Sequence, residues 1–117
     1  MIQPTRLRKR ADFLRMAREG SKIVSPGLIG QVLPVAGALE MRVGFTVTKK
    51  VGNAVIRNRV RRRLKEAARL VIKDSGVFLG DIVLIGRNQT IDRPFEALKH
   101  DVHKIVAAIK EGKGRKR

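Results

Sequence analysis

The chain has 117 residues, which is enough for one domain with a modest core. Its 27 lysines and arginines outnumber 10 acidic residues, and the net charge of +17 favours a polyanionic partner, nucleic acid before an anionic membrane. The absence of cysteine excludes disulfides and thiolate chemistry, and no apolar run approaches the roughly 20 residues of a membrane span. We expect a single cytoplasmic domain over residues 1–117, with flexible basic ends at 1–11 and 112–117.

The first half of the chain predicts a short helix and then strands. Asp12 is placed to cap a helix over residues 13–19, and Gly20 stands where a helix C-terminal glycine belongs. The segments that follow are strand candidates at 23–24 and 28–33, a break at 25–27 and a turn at 34–38.

Residues 41–48 alternate strictly between apolar and other side chains, with Val43, Phe45 and Val47 on one face. This pattern is typical of a half-buried strand. The spacing of apolar residues then becomes helical, and this helix should end near Ser75-Gly76. Apolar residues recur at steps of three and four and form one stripe: Ile56, Val60, Leu64, Ala67 and Val71.

The last third of the chain predicts a strand and a final helix. Residues 82–85 are uninterruptedly apolar, which suits a strand that is buried on both faces. A helix follows Asp92 and Pro94, and its apolar stripe comprises Phe95, Leu98, Val102, Ile105 and Ile109. Strand, helix and strand over 41–86 imply a parallel pair joined by a crossover, so we predict a two-layer α/β sandwich with three helices on a small mixed sheet.

The segment 49–69 carries the most information about function. It holds nine basic residues and a single acid, Glu66, for a net charge of +8. On a helical wheel, Asn58, Arg62, Lys65 and Arg69 lie opposite the apolar stripe, with further arginines on both flanks. Guanidinium groups grip phosphate oxygens in pairs and stack on bases. A solvated helix face usually mixes both signs of charge, whereas this segment has a single acid. A membrane-surface helix would have a wider apolar face with Trp or Tyr, and this chain contains neither residue.

The sequence GFTVTKKVGNAVIRNRVRRRLKEAAR resembles the signature of the bacterial ribonuclease P protein family. The hallmark of this family is an Arg-Asn-Arg helix after a Lys-Lys-x-Gly-Asn-Ala loop, and these motifs stand here at 57–59 and 49–54. The upstream RLRKRADFLRMAREG resembles the first helix of the family, and GDIVLI resembles its last strand. The resemblance spans nearly the whole chain in one order.

The resemblance implies a fold and a role. The fold would be an α/β sandwich whose βαβ crossover is left-handed, against the usual right-handed preference. The role would be that of the protein subunit of ribonuclease P, one monomer per RNA. That protein binds the catalytic RNA and the 5′ leader of precursor tRNA. The RNA performs the cleavage and holds most of the Mg²⁺ ions, which the protein helps it to retain.

The resemblance also implies sites. The predicted RNA-binding residues are those of the motif segment, together with Arg69 from the helical wheel: Lys49, Lys50, Asn53, Arg57, Asn58, Arg59, Arg61, Arg62, Lys65 and Arg69. The predicted leader cleft between sheet and helix comprises Phe13, Ala17, Gln31, Phe45 and Val47. The family often has aromatic residues at the positions of Ala17 and Gln31. Stacking on a ring is worth about 1–3 kcal/mol per base, so leader binding here should depend more on charge.

The residues themselves predict no catalytic or metal-binding group in the protein. The ten acids are scattered along the chain, and His100 and His103, three residues apart on the last helix, have no third ligand nearby in the pattern. Two other functions stay open at this point. One is a generic RNA-binding or ribosomal-type protein, and the other is a DNA-binding protein that lays its basic helix in a major groove. Faster or tighter removal of a leader by ribonuclease P RNA would separate both from the favoured interpretation.

Overall fold

The structure is a computed structural model that describes residues 5–7, 9–35, 41–75 and 80–110. The elements in chain order are β1 (Thr5–Arg6), α1 (Arg10–Glu19), β2 (Ser21–Ser25), β3 (Leu28–Pro34), β4 (Met41–Val47), α2 (Ala54–Ser75), β5 (Gly80–Gly86) and α3 (Phe95–Lys110), with 3₁₀ turns at Lys49–Val51 and Asn88–Thr90. The predicted order of helices and strands is confirmed from α1 to α3, and β1 precedes it. The predictions for 36–38, Gly76 and 112–117 lie outside the described residues.

The strands form one mixed sheet in the order β1-β4-β5-β3-β2. The neighbours β4 and β5 run parallel, with Arg42 beside Asp81 and Val43 beside Ile82. Strand β3 is antiparallel to β5, and Pro26-Gly27 turns the chain from β2 into β3. The predicted parallel pair joined through α2 is therefore confirmed, and the hand of this crossover stays a prediction.

The main core lies between the sheet and the two long helices. The predicted stripe of α2 faces the sheet: Val60, Leu64 and Ala67 are fully buried, and Val71 and Ile56 follow the same line. Leu98, Val102 and Ile105 of α3 complete this layer, while the side chain of Ile109 lies outside what is described. Burying each such side chain stabilises the fold by about 1.5–3 kcal/mol, so the apolar side of α2 fixes how the helix lies on the sheet.

A smaller apolar cluster lies on the opposite face of the sheet, under α1. It consists of Leu7, Met16 and Val83, with Phe13 and Ile85 packed against it. Side chains alternate along β5, so Ile82 faces the main core and Val83 faces this cluster, as expected for a strand buried on both faces. The α/β sandwich is confirmed for α2, α3 and the sheet, and α1 adds partial cover on the other side.

Two sequence predictions at the N-terminal end differ from the structure. Within the segment predicted to be a flexible end, β1 pairs with β4, and Leu7 is only 3% exposed because it joins the small cluster. The helix α1 begins before Asp12, with Lys9 at the N-cap position and no side-chain cap bond. Asp12 lies in the first turn instead, where its charge suits the helix dipole and its carboxylate can face the sheet.

Candidate nucleic-acid interface

The turn before Ala54 sets the direction in which α2 begins. Gly52 has a φ of +157°, and a Cβ there would lie 3.0 Å from Cγ2 of Ile56, so a side chain would be strained at this position. The side-chain oxygen of Asn53 accepts a hydrogen bond from the backbone N–H of Ile56 at 3.0 Å, which caps the helix. The exposed Lys49 and Lys50 lie just before this cap.

The outer side of α2 and the preceding turn form a continuous cationic surface, which we call the basic face. The ten predicted RNA-binding residues all lie on it and none lies in the core; Lys49, Lys50, Asn53, Asn58, Arg59, Arg62 and Arg69 are exposed, and Arg57, Arg61 and Lys65 are half-buried. Its charges project from the side opposite the buried stripe. The basic face can therefore meet a polyanion while the helix stays packed on the sheet.

Contacts within α2 orient some of these cations. The Asn58 side-chain oxygen accepts a hydrogen bond from Nη1 of Arg61 at 2.8 Å, which turns Arg61 toward the N-terminal half of the helix. Nε of Arg57 is buried and has no hydrogen-bond partner. Arg63 differs from its neighbours, because it donates to the backbone carbonyl of Arg93 and joins α2 to the loop before α3. Arg63 is thus a structural arginine.

The C-terminal part of the basic face is partly neutralised. Arg69 donates to Glu66 through Nη2 at 2.6 Å and through Nε at 3.2 Å. This hydrogen bond, with the charge attraction, lowers the pKa of Glu66 and raises the pKa of Arg69. Both groups stay charged at neutral pH, so the pair offers less net charge to a phosphate than Arg69 would alone.

Replacing Glu66 with Gln should therefore strengthen RNA binding. The substitution removes the only acid of the segment 49–69 and releases Arg69 from its partner. Because an exposed ion pair is weak, we expect affinity to rise only by about 1.5- to 5-fold in a filter-binding titration. Glu96, an exposed acid on α3, forms a similar i, i+3 pair with the half-buried Lys99 at 3.5 Å. If Glu96→Gln tightened binding equally, total charge and not the basic face would be the cause.

An open cleft of about 460 Å³ lies beside the basic face, lined by Arg6, Leu7, Phe13, Phe45 and Arg61. We call it the aromatic cleft. It lies where β1 ends: β1 pairs with β4 only at Arg42 and Val43, and a last bond joins the N–H of Leu7 to the carbonyl of Val43 at 2.9 Å. Phe13 reaches the cleft from the α1 side of the sheet and Phe45 from the main-core side, so two aromatic residues and two arginines line one space. Aromatic rings and arginines are the groups that bind bases and phosphates.

The structure places the five predicted cleft residues differently. Phe13 and Phe45 line the aromatic cleft, whereas Ala17 is exposed on α1 and does not. Gln31 is 7% exposed on β3, and Val47 is 6% exposed in the main core. Sequence reasoning missed Arg6 and Leu7, because a two-residue strand gives no periodic signal.

The described part of the chain holds no group of three or more His, Asp and Glu side chains that could bind a metal ion. His100 and His103 are exposed on α3. Among the same residues, no helix combines the length and apolar character needed to cross a membrane.

The sandwich, the one-sided basic face and the adjoining aromatic cleft define a small basic protein of the nucleic-acid-binding class. Comparison with known proteins narrows this class. A family model described as Ribonuclease P matches residues 1–110, and the chain belongs to that family. It is therefore related to a protein component of an enzyme complex.

Relatives and solved structures of this family match most of the chain. The ribonuclease P protein component of Gluconacetobacter diazotrophicus is 52% identical over 101 residues, covering 86% of this chain and 87% of that protein. The counterpart from Paramagnetospirillum magneticum is 50% identical over 109 residues, covering 90% and 80%. The RNase P protein structure from Staphylococcus aureus has a TM-score of 0.76 at 25% identity and covers 92% of this chain and 97% of its own. The Thermotoga maritima RNase P protein has a TM-score of 0.73 at 26% identity, with 86% and 94% covered. The resemblance and the fold predicted from the sequence are confirmed.

Proposed function

We propose that this chain is the RNA-binding subunit of ribonuclease P and assists the RNA subunit in removing the 5′ leader from precursor tRNA. The observation that carries the proposal is the position of Arg61. It belongs to the basic face and also lines the aromatic cleft, so one arginine joins a surface for a large RNA to a slot for a single strand.

The basic face would bind the catalytic RNA. Its arginines and lysines project from one rigid helix, and binding to phosphates releases counterions from the RNA, which drives association. Arg59 and Arg62 are exposed and keep their guanidinium forks on the outer side. Because the buried stripe fixes α2 on the sheet, these groups need little reordering on binding.

The aromatic cleft would take a segment of the leader. Phe13 and Phe45 offer stacking surfaces, and Arg6 and Arg61 offer cations for the adjoining phosphates. Each stacked base contributes about 1–3 kcal/mol. Since Ala17 and Gln31 supply no rings, stacking in this protein is limited to these two phenylalanines among the predicted cleft residues, and charge contributes the remainder.

The RNA subunit would perform the chemistry with Mg²⁺ ions that it holds itself. The groups on the basic face are arginine, lysine and asparagine side chains, and an arginine guanidinium stays protonated in proteins and so serves as a binding group. The protein would act as a monomer in the cytoplasm, one per RNA. By covering phosphates near the ion sites, its cations would lower the cost of bringing RNA strands together and so help the RNA retain Mg²⁺.

A reconstitution assay tests the proposal. Purified protein is added to a bacterial ribonuclease P RNA with leader-bearing precursor tRNA at low Mg²⁺, and cleavage and precursor affinity are measured. We expect the protein to raise both. Arg62→Ala should weaken affinity for the RNA subunit by about tenfold or more, because a hydrogen bond to a charged group is lost, while thermal stability stays unchanged.

Lys104→Ala is the matched control, since Lys104 is an exposed cation on α3 and does not belong to the segment that forms the basic face. It should leave RNA affinity within about twofold, the range of weak surface charges. A protein that neither docks on the ribozyme nor alters leader removal would contradict the proposal. Equal affinity for unrelated structured RNAs would indicate a generic RNA-binding protein. Preference for duplex DNA would indicate a DNA-binding protein that lays its basic helix in the major groove.

A further inference from the structure

We infer that Asp81 is a positioning residue for the aromatic cleft: through two arginines it holds α1 in the pose in which Phe13 forms one wall of the cleft. The inference rests on the proposed function, because it assumes that the aromatic cleft takes the leader. It concerns residues that do not line the cleft themselves.

Asp81 is the buried centre of an ion network between α1 and the sheet, and its partners are partly buried. It is 1% exposed on β5 and lies directly beside Arg42 in the parallel register with β4. Arg42 grips it with two bonds of 2.8 Å each, from Nε to Oδ1 and from Nη2 to Oδ2. Arg15 of α1 donates through Nη2 to the same Oδ2. Asp12 of α1 completes the network with its Oδ2 3.5 Å from Nη1 of Arg42.

The ion network contacts α1 at residues on both sides of Phe13 in the sequence. Asp12 immediately precedes Phe13, and Arg15 follows it within the same turn. The Phe13 ring lies against Gly44, two residues along β4 from Arg42, where a Cβ would come within 2.8 Å of ring atoms Cε1 and Cζ. The position of the ring therefore depends on the tilt of α1, and the tilt depends on where Arg15 and Asp12 meet the sheet.

Apolar packing alone fixes α1 only weakly on the sheet. Among the described residues, the cluster beneath it has three buried members, Leu7, Met16 and Val83, with a few partly buried neighbours, whereas α2 and α3 share a core several times larger. Hydrophobic contact is also non-directional, so it permits sliding that a two-bond arginine–carboxylate fork does not. The ion network thus supplies the directional part of the α1 contact.

The structure contains a matched control at another site. Asp101 of α3 is fully buried and pairs with Arg93, with Nη2 to Oδ1 at 3.0 Å and a second bond from Nε to Oδ2. This pair joins α3 to the preceding loop, and neither residue lines the aromatic cleft. Asp81→Asn and Asp101→Asn each remove one negative charge from a buried aspartate that an arginine binds with two bonds, so comparing them separates positioning from stability and net charge.

The experiment measures the ratio of affinities of the holoenzyme for leader-bearing precursor and for mature tRNA, at a temperature at which thermal denaturation shows every variant folded. Phe13→Ala should lower the ratio by about 5- to 150-fold, the range for loss of one stacked base. Asp81→Asn should lower it by about three- to tenfold, a part of that stacking energy, and Asp101→Asn should leave it unchanged. In the Phe13→Ala background, Asp81→Asn should cause no further loss, because Asp81 acts through the ring.

Each outcome decides the question. Equal ratios for Asp81→Asn and wild type, with Phe13→Ala still impaired, would overturn the inference and leave the proposed function intact. An unchanged ratio for Phe13→Ala would overturn both. A drop of the same size in Asp101→Asn, or full additivity in the double variant, would show a general stability effect. If Asp81→Asn does not fold, Arg42→Lys decides in its place, because it keeps the charge and loses the two-bond fork.

Discussion

Raising the salt concentration from 50 to 200 mM should weaken binding of this protein to its RNA by about 10³–10⁵. The expected size follows from the number of cations that can reach phosphates. Segment 49–69 holds nine basic residues, of which Arg63 is bound to a backbone carbonyl and Arg69 is shared with Glu66. The remainder falls within the roughly 6–10 phosphate contacts for which such a loss is typical.

The measurement is a titration of labelled RNA at five or six salt concentrations, with log affinity plotted against log salt. The slope counts released counterions at about 0.9 per phosphate contact for a duplex and about 0.7 for a single strand. Arg62→Ala should make the slope shallower by about one contact. Lys104→Ala, on α3, should leave it unchanged.

The two surfaces should respond differently to salt. Stacking on Phe13 is not an ionic interaction, so Phe13→Ala should reduce affinity for leader-bearing RNA by a similar factor at every salt concentration. A flat plot for the wild-type protein would contradict a phosphate-dominated basic face. A change of slope in Phe13→Ala would mean that losing the ring also displaces cations such as Arg61.

Periodic patterns explain which parts of the fold could be predicted. The apolar stripe of α2 has five members at helical spacing over residues 56–71, and the apolar run of β5 suits a strand covered on both sides, so both elements were predictable. The strand β1 was not predictable, because two residues show no period and Leu7 is a single apolar residue in a basic segment. Its place in the sheet depends on the free edge of β4, which only the tertiary structure reveals.

The candidate site could likewise be predicted only where it depends on a single element. A helical wheel suffices to place the basic face, because it depends on one element. The aromatic cleft depends on four elements, because its lining residues come from α1, β4, α2 and the end of β1. Alternation correctly puts Phe45 and Val47 on one face of β4, but the approach of Val60 and Val47 to Gly86 buries Val47 in the core. The Arg42–Asp81 pair joins residues 39 apart in sequence, and nothing local in the sequence connects them.

Replacing Leu64 with Ala should destabilise the fold by about 2–5 kcal/mol, the cost of deleting a fully buried leucine and leaving a cavity. Leu64 is 0% exposed in the middle of α2, and its Cδ1 lies 3.5 Å from the site where a Cβ on Gly86 would be. The surrounding backbone is a regular sheet and helix, which can relax only partly into the space. Urea denaturation followed by circular dichroism measures the loss.

The same variant should bind RNA almost normally wherever it is folded, because Leu64 faces the sheet and the cations face outward. Arg62→Ala, two residues earlier on the exposed side, should give the opposite result, with stability within about 0.5 kcal/mol of wild type and weakened RNA binding. Loss of RNA affinity in folded Leu64→Ala would show that packing tunes the basic face. Loss of stability in Arg62→Ala would show that this guanidinium is part of the scaffold, and the separation of roles between the two sides of α2 would then be wrong.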